Sequence, residues 1–577
     1  MLCWVRLLCG CCSIFAAIPL LAAGRPNVVI VITDDQGYGD IGAHGNAKIK
    51  TPELDRLHRE SIRLTNFHVD PTCAPTRSSL MTGRFSTRTG IWHTIAGRSL
   101  MNPNELTLAE IFSANGYCTG LFGKWHLGDN APLRPQDQGF QKALFIRGGG
   151  ITQSPDYWGN DYFDDTYLRE DGSWEQQTGY CTDVWFREGM KFIEQSQADG
   201  VPFFCYIATN APHDPFNVAD EYSRPYREAG VPERMANFYG MITNIDENVG
   251  RLRAKLKETG LDRNTLFLFM TDNGTSGGIL KSGKDPAAWT GFNAGMRAQK
   301  VSEYDGGHRV PCFIHWPEGK LGEARDISQL TAHIDLLPTF VEFCGLKKPD
   351  GPPIDGISLA PLLRGGIQQL PERQLFIHTQ RVDQPVKWKN CVVLTQQWRL
   401  VNGKELYDIQ SDPGQQSNVA SAHPDVVSKL REGYEQWWTS LEPVMADVVR
   451  IDLGNPAENP TRLCCHDWHS DNNPIPIFQP QVEKDPLQNG FWAVNVTQPG
   501  EYEFTLRLRP EETTYPLPAG TARLKIGEVE AKTTVPAGAP AVVLKAHLTP
   551  GPAILQTWLE TADGESRGAY YVTVKRL

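Results

Sequence analysis

Two pairs of oxygen-bearing residues carry the first chemical signal. Asp34 and Asp35 lie one residue past the apolar run Val28–Ile32, and Asp272 with Asn273 lies one residue past the apolar run Leu266–Met270. Like charges side by side at the end of a buried segment are costly unless a cation compensates them. Aspartate and asparagine offer only oxygen, which suits a hard ion such as Ca²⁺ or Mg²⁺ rather than zinc. Either pair alone reads more readily as caps or turn residues, which Asp and Asn favour. The two together reverse that preference. A third element is the stretch CAPTRSSLMTGR from Cys73 to Arg84. Cys73 opens a predicted helix, whose free N–H groups and partial positive charge favour an anion, and Arg77 shares its face one turn on. A thiolate nucleophile is one reading. Yet the stretch is no CX5R phosphate loop, and a soft thiolate sits badly beside a carboxylate-bound hard cation. The chemistry asks for oxygen where Cys73 stands.

An α/β frame would bring these residues together. From residue 25 to about 440, apolar runs that end in polar or Gly-rich turns alternate with helical patterns, as in a largely parallel sheet. Val28–Ile32 ends in Thr33, Asp34 and Asp35; Thr51 then caps a helix with Pro52 at its first position and Leu54, Leu57 and Ile62 inward. The run Val201–Ala208 ends in TNAPHDP, and Leu266–Met270 ends in TDNG. In open α/β sheets ligands bind at the carboxyl ends of the strands. After about residue 450 the texture changes: Trp492, Val494 and Val496, then Tyr502, Phe504, Leu506 and Leu508, alternate with mostly polar residues, the pattern of half-buried antiparallel strands. The expected fold is a large, mostly parallel mixed sheet flanked by helices, followed by a C-terminal all-β sandwich. The expected boundaries are a leader at 1–24, a catalytic domain at 25–450 with a smaller subdomain from about 375, a linker at 451–480 and the sandwich at 481–577.

A chain of 577 residues exceeds the size at which single cores stop growing. Its net charge of −11, with no Lys/Arg block, excludes a nucleic-acid binder. The start, with Arg6, an apolar run to about Leu21 and small residues Ala22, Ala23 and Gly24, reads as a signal peptide. No later segment approaches the ~20 apolar residues of a membrane span. Of the 13 cysteines, four lie in the leader and nine remain, an odd number in an exported chain whose thiols are expected to pair.

CAPTR resembles the sulfatase signature Cys-x-Pro-x-Arg, in which the cysteine becomes formylglycine (3-oxoalanine), an aldehyde that hydrates to a geminal diol. The resemblance runs through DDQGYGD at Asp34, SSLMTGR after Cys73, GKWHLG at Gly123, APHDP at Ala211, TDNG at Thr271 and KVSEYDGGHRVP at Lys300. DLLPT at Asp335, DGISLAPLL at Asp355 and LYDIQSDPGQQSNVA at Leu406 continue it. The family implies an alkaline-phosphatase-like fold and hydrolysis of sulfate esters. It implies that Asp34, Asp35, Asp272, Asn273 and modified Cys73 hold one divalent cation, usually calcium. Lys124, His126 and Lys300 match its sulfate-binding and proton-transfer positions, Arg77 braces the diol, and His213 protonates the leaving alcohol. One hydroxyl of the diol attacks sulfur; His126 is the base that lets the second expel sulfate.

Three positions depart from the family pattern: Val301 stands where glycine is usual, Asp305 where glutamate is common, and His308 where an apolar residue is frequent. His308 either faces substrate or is a solvated loop histidine. The insertion Gly148–Gly172, crowded with Tyr, Trp, Phe and Asp, either stacks on sugar or packs as a hydrophobic loop, and Trp92 and His93 are further rim candidates. These surfaces favour a sulfated saccharide over other sulfate esters. The resemblance also implies a formylglycine-generating or equivalent maturation enzyme as partner. The sequons at Asn273 and Asn495, fewer than lysosomal relatives carry, favour a bacterial, periplasmic or secreted protein. Alternatives are a phosphate or phosphonate monoester hydrolase of the same superfamily, and a binding protein whose Cys73 stays unmodified.

Overall fold

The computed structural model describes residues 24–280, 289–470 and 474–577; the leader expected at 1–24 lies outside the described residues, except for Gly24. Ten strands form the main sheet. At its centre five run parallel, in spatial order Thr265–Thr271, Asn27–Thr33, Phe203–Ala208, Cys118–Lys124 and Lys142–Ile146. Antiparallel strands flank them, Cys312–His315 on one side and Thr166–Arg169 on the other.

Val28 to Ile32 are wholly buried, because helices cover both faces and a strand buried on both sides is apolar throughout. Alternate side chains point to opposite faces. Val28, Ile30 and Ile32 share a core with Leu80, Met81, Phe112 and Leu336, while Val29 and Val31 share another with Val184, Trp185, Met241 and Ile245. Burial of each such side chain is worth about 1.5–3 kcal/mol, and a one-residue slip would exchange the two sets. The register therefore sets Thr33 opposite Thr271. That places Asp34 and Asp272 side by side at the carboxyl edge.

The helix after the first strand runs Pro52–Glu60 and stops at Ser61, so Ile62 begins a strand instead of extending the helix face. Thr51 is its N-cap residue, but its side chain caps no helix N–H and Oγ1 donates to Asp55 Oδ1 at 3.1 Å. The Asp246 carboxylate, from the long helix Glu233–Glu258, accepts instead from the Glu53 and Leu54 N–H groups at 3.2 and 2.7 Å.

Gly123 precedes Lys124 at the end of its strand with φ of 116°, and a Cβ there would lie 1.9 Å from the Ala208 carbonyl oxygen. Both the conformation and the space require glycine. Gly123→Ala is expected to destabilise the protein by about 2–3 kcal/mol; a urea midpoint within error of wild type contradicts this.

Four antiparallel strands, Leu375–His378, Cys391–Leu394, Trp398–Val401 and Glu405–Asp408, form a smaller sheet. Leu430, Tyr434, Trp437 and Leu441 of the helix Pro424–Met445 pack on it with Trp92. Two C-terminal sheets enclose one further core, in which Trp492, Tyr502 and Phe504 are fully buried. The aromatics at alternating positions thus fill their own sandwich. The span 451–480 contributes a strand to each sheet: Ile451–Leu453 pairs parallel to Phe491–Val496, and Thr461–Cys464 pairs antiparallel to Tyr571–Arg576.

All nine cysteines from Cys73 onward are free, so the expected pairing is not found among the described residues. Cys205 and Cys312 lie in strands of the main sheet and Cys391 in the smaller one, each buried as a small hydrophobe. The odd count therefore says nothing about Cys73. No helix among the described residues is long and apolar enough to cross a membrane.

Candidate active site

Cys73–Thr82 is a helix in which every residue is buried. Thr72 precedes it in extended conformation and makes no side-chain bond to it. Asp70 anchors the helix from one side: its carbonyl accepts from Thr76 Oγ1 at 2.9 Å, and its Oδ2 from Ser79 Oγ at 3.1 Å and His333 Nε2 at 3.0 Å. Gly83 closes it in the left-handed region, its N–H on the Ser79 carbonyl at 2.9 Å.

Cys73 at the head of this helix faces the carboxyl edge of the sheet. Ligand atoms of Asp34, Cys73 and Asp272 lie within 4.8 Å of one another, as do those of Asp34, Asp35 and His213. Three cations meet the three carboxylates. Lys124 Nζ is 2.6 Å from Asp34 Oδ2, Arg77 Nη2 is 2.9 Å from Asp272 Oδ2, and Lys300 Nζ is 2.6 Å from Asp35 Oδ2. Arg77 also donates to the Lys124 carbonyl at 2.9 Å, which ties helix to strand end. Asn273 Nδ2 donates to Asp35 Oδ1 at 2.8 Å, and His213 Nε2 lies 3.7 Å from Asp35 Oδ2. All ten predicted residues thus lie around one centre except His126, which lies one step behind Lys124. Its Nε2 donates to the Thr94 carbonyl at 2.8 Å, and its buried Nδ1 has no partner.

The donors fit a hard divalent cation. Asp34 Oδ1 and Asn273 Oδ1 are buried acceptors without a partner, a deficit of about 1–3 kcal/mol each, and the set is all oxygen once residue 73 is discounted. Burial, then the charge of Asp34, pushes the Asp272 carboxyl up to about 7 in spite of Arg77, the mark of negative charge in want of a cation. Asp35 differs: burial would raise it, but Lys300 and His213 hold it well below the ordinary carboxylate range. Burial raises the Cys73 thiol, which disfavours the thiolate reading. Burial and Lys300 lower His213 to about 4, and its Nδ1 donates to the Asp214 carbonyl at 2.6 Å. His126 is pushed well below its usual range by burial, then Lys124 and His466. Both histidines are neutral at pH 7, with unprotonated nitrogens at His213 Nε2 and His126 Nδ1.

Three residues here adopt positive φ without being glycine: Asp35 at 71°, His126 at 62° and Val301 at 72°. Such conformations cost about 1–3 kcal/mol and persist where the surroundings enforce them. Val301 is β-branched, the least suited type, and its N–H is held by the Pro71 carbonyl at 2.9 Å. The family's usual glycine at this position thus has a backbone reason. Val301→Gly is expected to stabilise the protein by about 1 kcal/mol; a lowered melting temperature contradicts that.

His308 faces neither substrate nor solvent. It is fully buried, its Nδ1 2.9 Å from His68 Nδ1 and its Nε2 donating to the Glu303 carbonyl at 3.1 Å. Asp305 beside it accepts from buried Arg399 Nε at 3.0 Å, so an arginine already supplies the positive charge at this cluster. Trp92 is buried in the smaller subdomain with its Nε1 on the Val382 carbonyl, and His93 is buried as well, its Nδ1 accepting from the Thr94 N–H at 2.7 Å. In the insertion, Tyr162 and Tyr167 join the core beside Trp185, and Trp158 packs on the sandwich, so these aromatics serve mainly packing. What the motifs did not reveal is Thr94, Gln153 and His466, which surround His126; His466 and His469 in an Asn- and Pro-rich stretch form no motif.

The Sulfatase family model matches residues 26–346. The chain belongs to the sulfatase family. A model described as N-sulphoglucosamine sulphohydrolase, C-terminal, matches residues 298–438 of this sulfatase. Arylsulfatase G of Rattus norvegicus is 30% identical over 387 residues, 61% of this chain and 71% of that protein. N-acetylgalactosamine-6-sulfatase of Canis lupus familiaris is 30% identical over 397 residues, 63% of this chain and 71% of that protein. Among solved structures, Ps i-CgsB in complex with k-i-k-neocarrahexaose superposes with a TM-score of 0.63 at 27% identity, covering 72% of this chain and 92% of that one. The phosphonate monoester hydrolase of Agrobacterium radiobacter shares the fold, with a TM-score of 0.50 at 20% identity over 73% of this chain and 96% of that one. The sulfatase is accordingly an enzyme, a sulfuric ester hydrolase.

Proposed function

We propose that this enzyme cleaves a sulfate monoester on a carbohydrate, with Cys73 converted to formylglycine and one divalent cation, calcium or magnesium, held by Asp34, Asp35, Asp272, Asn273 and residue 73. The carrying observation is the ring of three carboxylates and three cations around the head of the Cys73 helix, with two buried oxygens lacking partners. When present, the cation supplies Lewis acidity and the hydrated aldehyde an oxygen nucleophile. The chain's own residues do the rest. Arg77, fixed by Asp272 and the Lys124 carbonyl, braces the diol, while Lys124 and Lys300 bring ammonium groups to offset charge on the sulfuryl oxygens. His126 Nδ1, unprotonated and unpartnered, accepts the proton of the second hydroxyl. His213 Nε2 adjoins the bridging oxygen; a bound sulfate's negative charge offsets Lys300 and lets the imidazole gain the proton it passes to the leaving alcohol.

Support for a carbohydrate comes from the relatives: one is named for N-acetylgalactosamine-6-sulfate and another structure holds a neocarrahexaose. Export to the periplasm or the medium, and maturation by a formylglycine-generating or equivalent enzyme, belong to the same proposal. The test is turnover of paired sulfate and phosphate monoesters of one alcohol, with defined sulfated saccharides alongside, and mass analysis of the Cys73 peptide. The expected results are strong preference for sulfate and a peptide roughly 18 Da lighter than the thiol form. Preference for phosphate by orders of magnitude, or an active enzyme with an unmodified thiol, overturns the reading.

A further inference from the structure

The C-terminal sandwich reaches into the catalytic centre. After the strand Thr461–Cys464 the chain makes a short turn, Cys465–Asp467, pinned at both ends to the sandwich. The Cys465 N–H bonds the Tyr570 carbonyl at 2.7 Å, and His469 exchanges backbone bonds with Phe491 at 2.8 and 3.1 Å. From that base His466 projects toward the sulfatase centre. Its carbonyl accepts from the Ala96 N–H at 2.9 Å, two residues beyond the Thr94 that holds His126. Its ring is 2% exposed and its centroid lies 6.2 Å from that of His126.

The hydrogen-bond partners define its charge. His466 Nε2 is 3.2 Å from Gln153 Oε1, an oxygen that also accepts the Gly149 N–H at 2.9 Å, so Nε2 carries a proton. Nδ1 faces Asp467 Oδ1 at 3.5 Å. With acceptors at both nitrogens the ring is an imidazolium; burial opposes this, and Asp467 with Cys464 and Asp129 together outweigh it, raising the group above its usual range. Cys464 and Asp129 also face it and favour the charge, Arg147 lies 3.8 Å from Asp129, and buried His93 is a further neighbour. His126 is faced by Lys124, Arg77 and His466. Gly149 packs so closely on the His126 ring that a Cβ would fall 2.5 Å from its Cε1, so the Gln153–Gly149 contact fixes the ring as well.

We infer that His466, delivered by the sandwich and held by Asp467, is a positioning residue: a fixed buried cation that keeps His126 in its proton-accepting form. This rests on His126 being the base. It makes the sandwich a working part of the active centre, and it accounts for a buried imidazolium with no role in holding the sandwich itself together.

The test combines histidine-labelled NMR titration of the full chain carrying Cys73→Ala with pH–rate profiles of the active enzyme, in His466→Gln and Asp467→Asn. Removing a charge about 6 Å away is expected to raise the His126 titration by about one to two units and to move the acid limb of kcat upward equally. At one pH unit below the new limb, activity falls about tenfold, and it recovers at higher pH. Asp467→Asn acts in the same direction by neutralising His466, and keeps the test available if His466→Gln misfolds. If the NMR titration moves while the acid limb stays, the inference holds and the assignment of His126 as base fails. If neither moves and kcat falls evenly at all pH, His466 is merely structural and the inference is wrong.

Discussion

Cys73→Ala is expected to leave a folded protein with turnover of sulfate esters reduced at least about 10⁴-fold. The site lies on a wholly buried helix, so replacing the small matured side chain by a methyl group creates at most a small cavity, costing about 1 kcal/mol. Arg77, Asp272 and Lys124 keep their mutual bonds. The variant therefore isolates chemistry from folding. All cationic groups remain to bind sulfate, so affinity for the product ion is expected to survive while turnover is lost. Circular dichroism, thermal unfolding and sulfate binding by calorimetry check the first half, and initial rates the second. Residual turnover within about a hundredfold of wild type contradicts a nucleophile at residue 73.

Asp272→Asn is the second large effect, expected to lower turnover by about 10³-fold and to empty the cation site. Asparagine keeps the shape and an oxygen for Arg77, so the change removes the charge and one acceptor, the one that takes the Asp35 N–H at 3.1 Å. It carries a stability signature of definite sign. In chelator, the folded carboxyl sits at about 7 against an ordinary value of 3.8, so between these values the unfolded state holds fewer protons. Stability then falls as pH rises from about 4 to about 7. The asparagine variant lacks that slope, so its melting temperature relative to wild type rises through this window. Excess calcium or magnesium reverses the order by stabilising wild type alone. Unfolding scans at pH 4, 5.5 and 7, with and without the cation, check both statements; a constant difference across the window refutes the sign.

Most of the centre was legible because it sits where the physics of an α/β sheet delivers it. Asp34, His213 and Asp272 follow three neighbouring parallel strands, each visible as an apolar run with an abrupt polar end, whereas Lys124 ends a fourth, CTGLFGK, which is no apolar run and was reached only through the GKWHLG motif. Val301 was visible as a departure, but its meaning waited on φ, which no residue pattern displays. His308 was misread because it ends a short helix while its partner, His68, lies on a distant short strand, and nothing in either local sequence says that the rings meet. His466 was missed for the same reason over a longer distance. The thiols were expected to pair from compartment alone, whereas all nine from Cys73 onward are free and all but Cys118 are buried.

The complete burial of the Cys73 helix also dictates timing. On the proposed reading, an enzyme that must grasp Cys73, Pro75 and Arg77 has no access to them in the finished protein, where Arg77 and Pro75 are sealed beneath the sheet edge. Conversion has to precede collapse of the chain. Activity is then fixed as a fraction at birth: each molecule is either matured or permanently inert, and no later exposure to the maturation enzyme can repair a folded one.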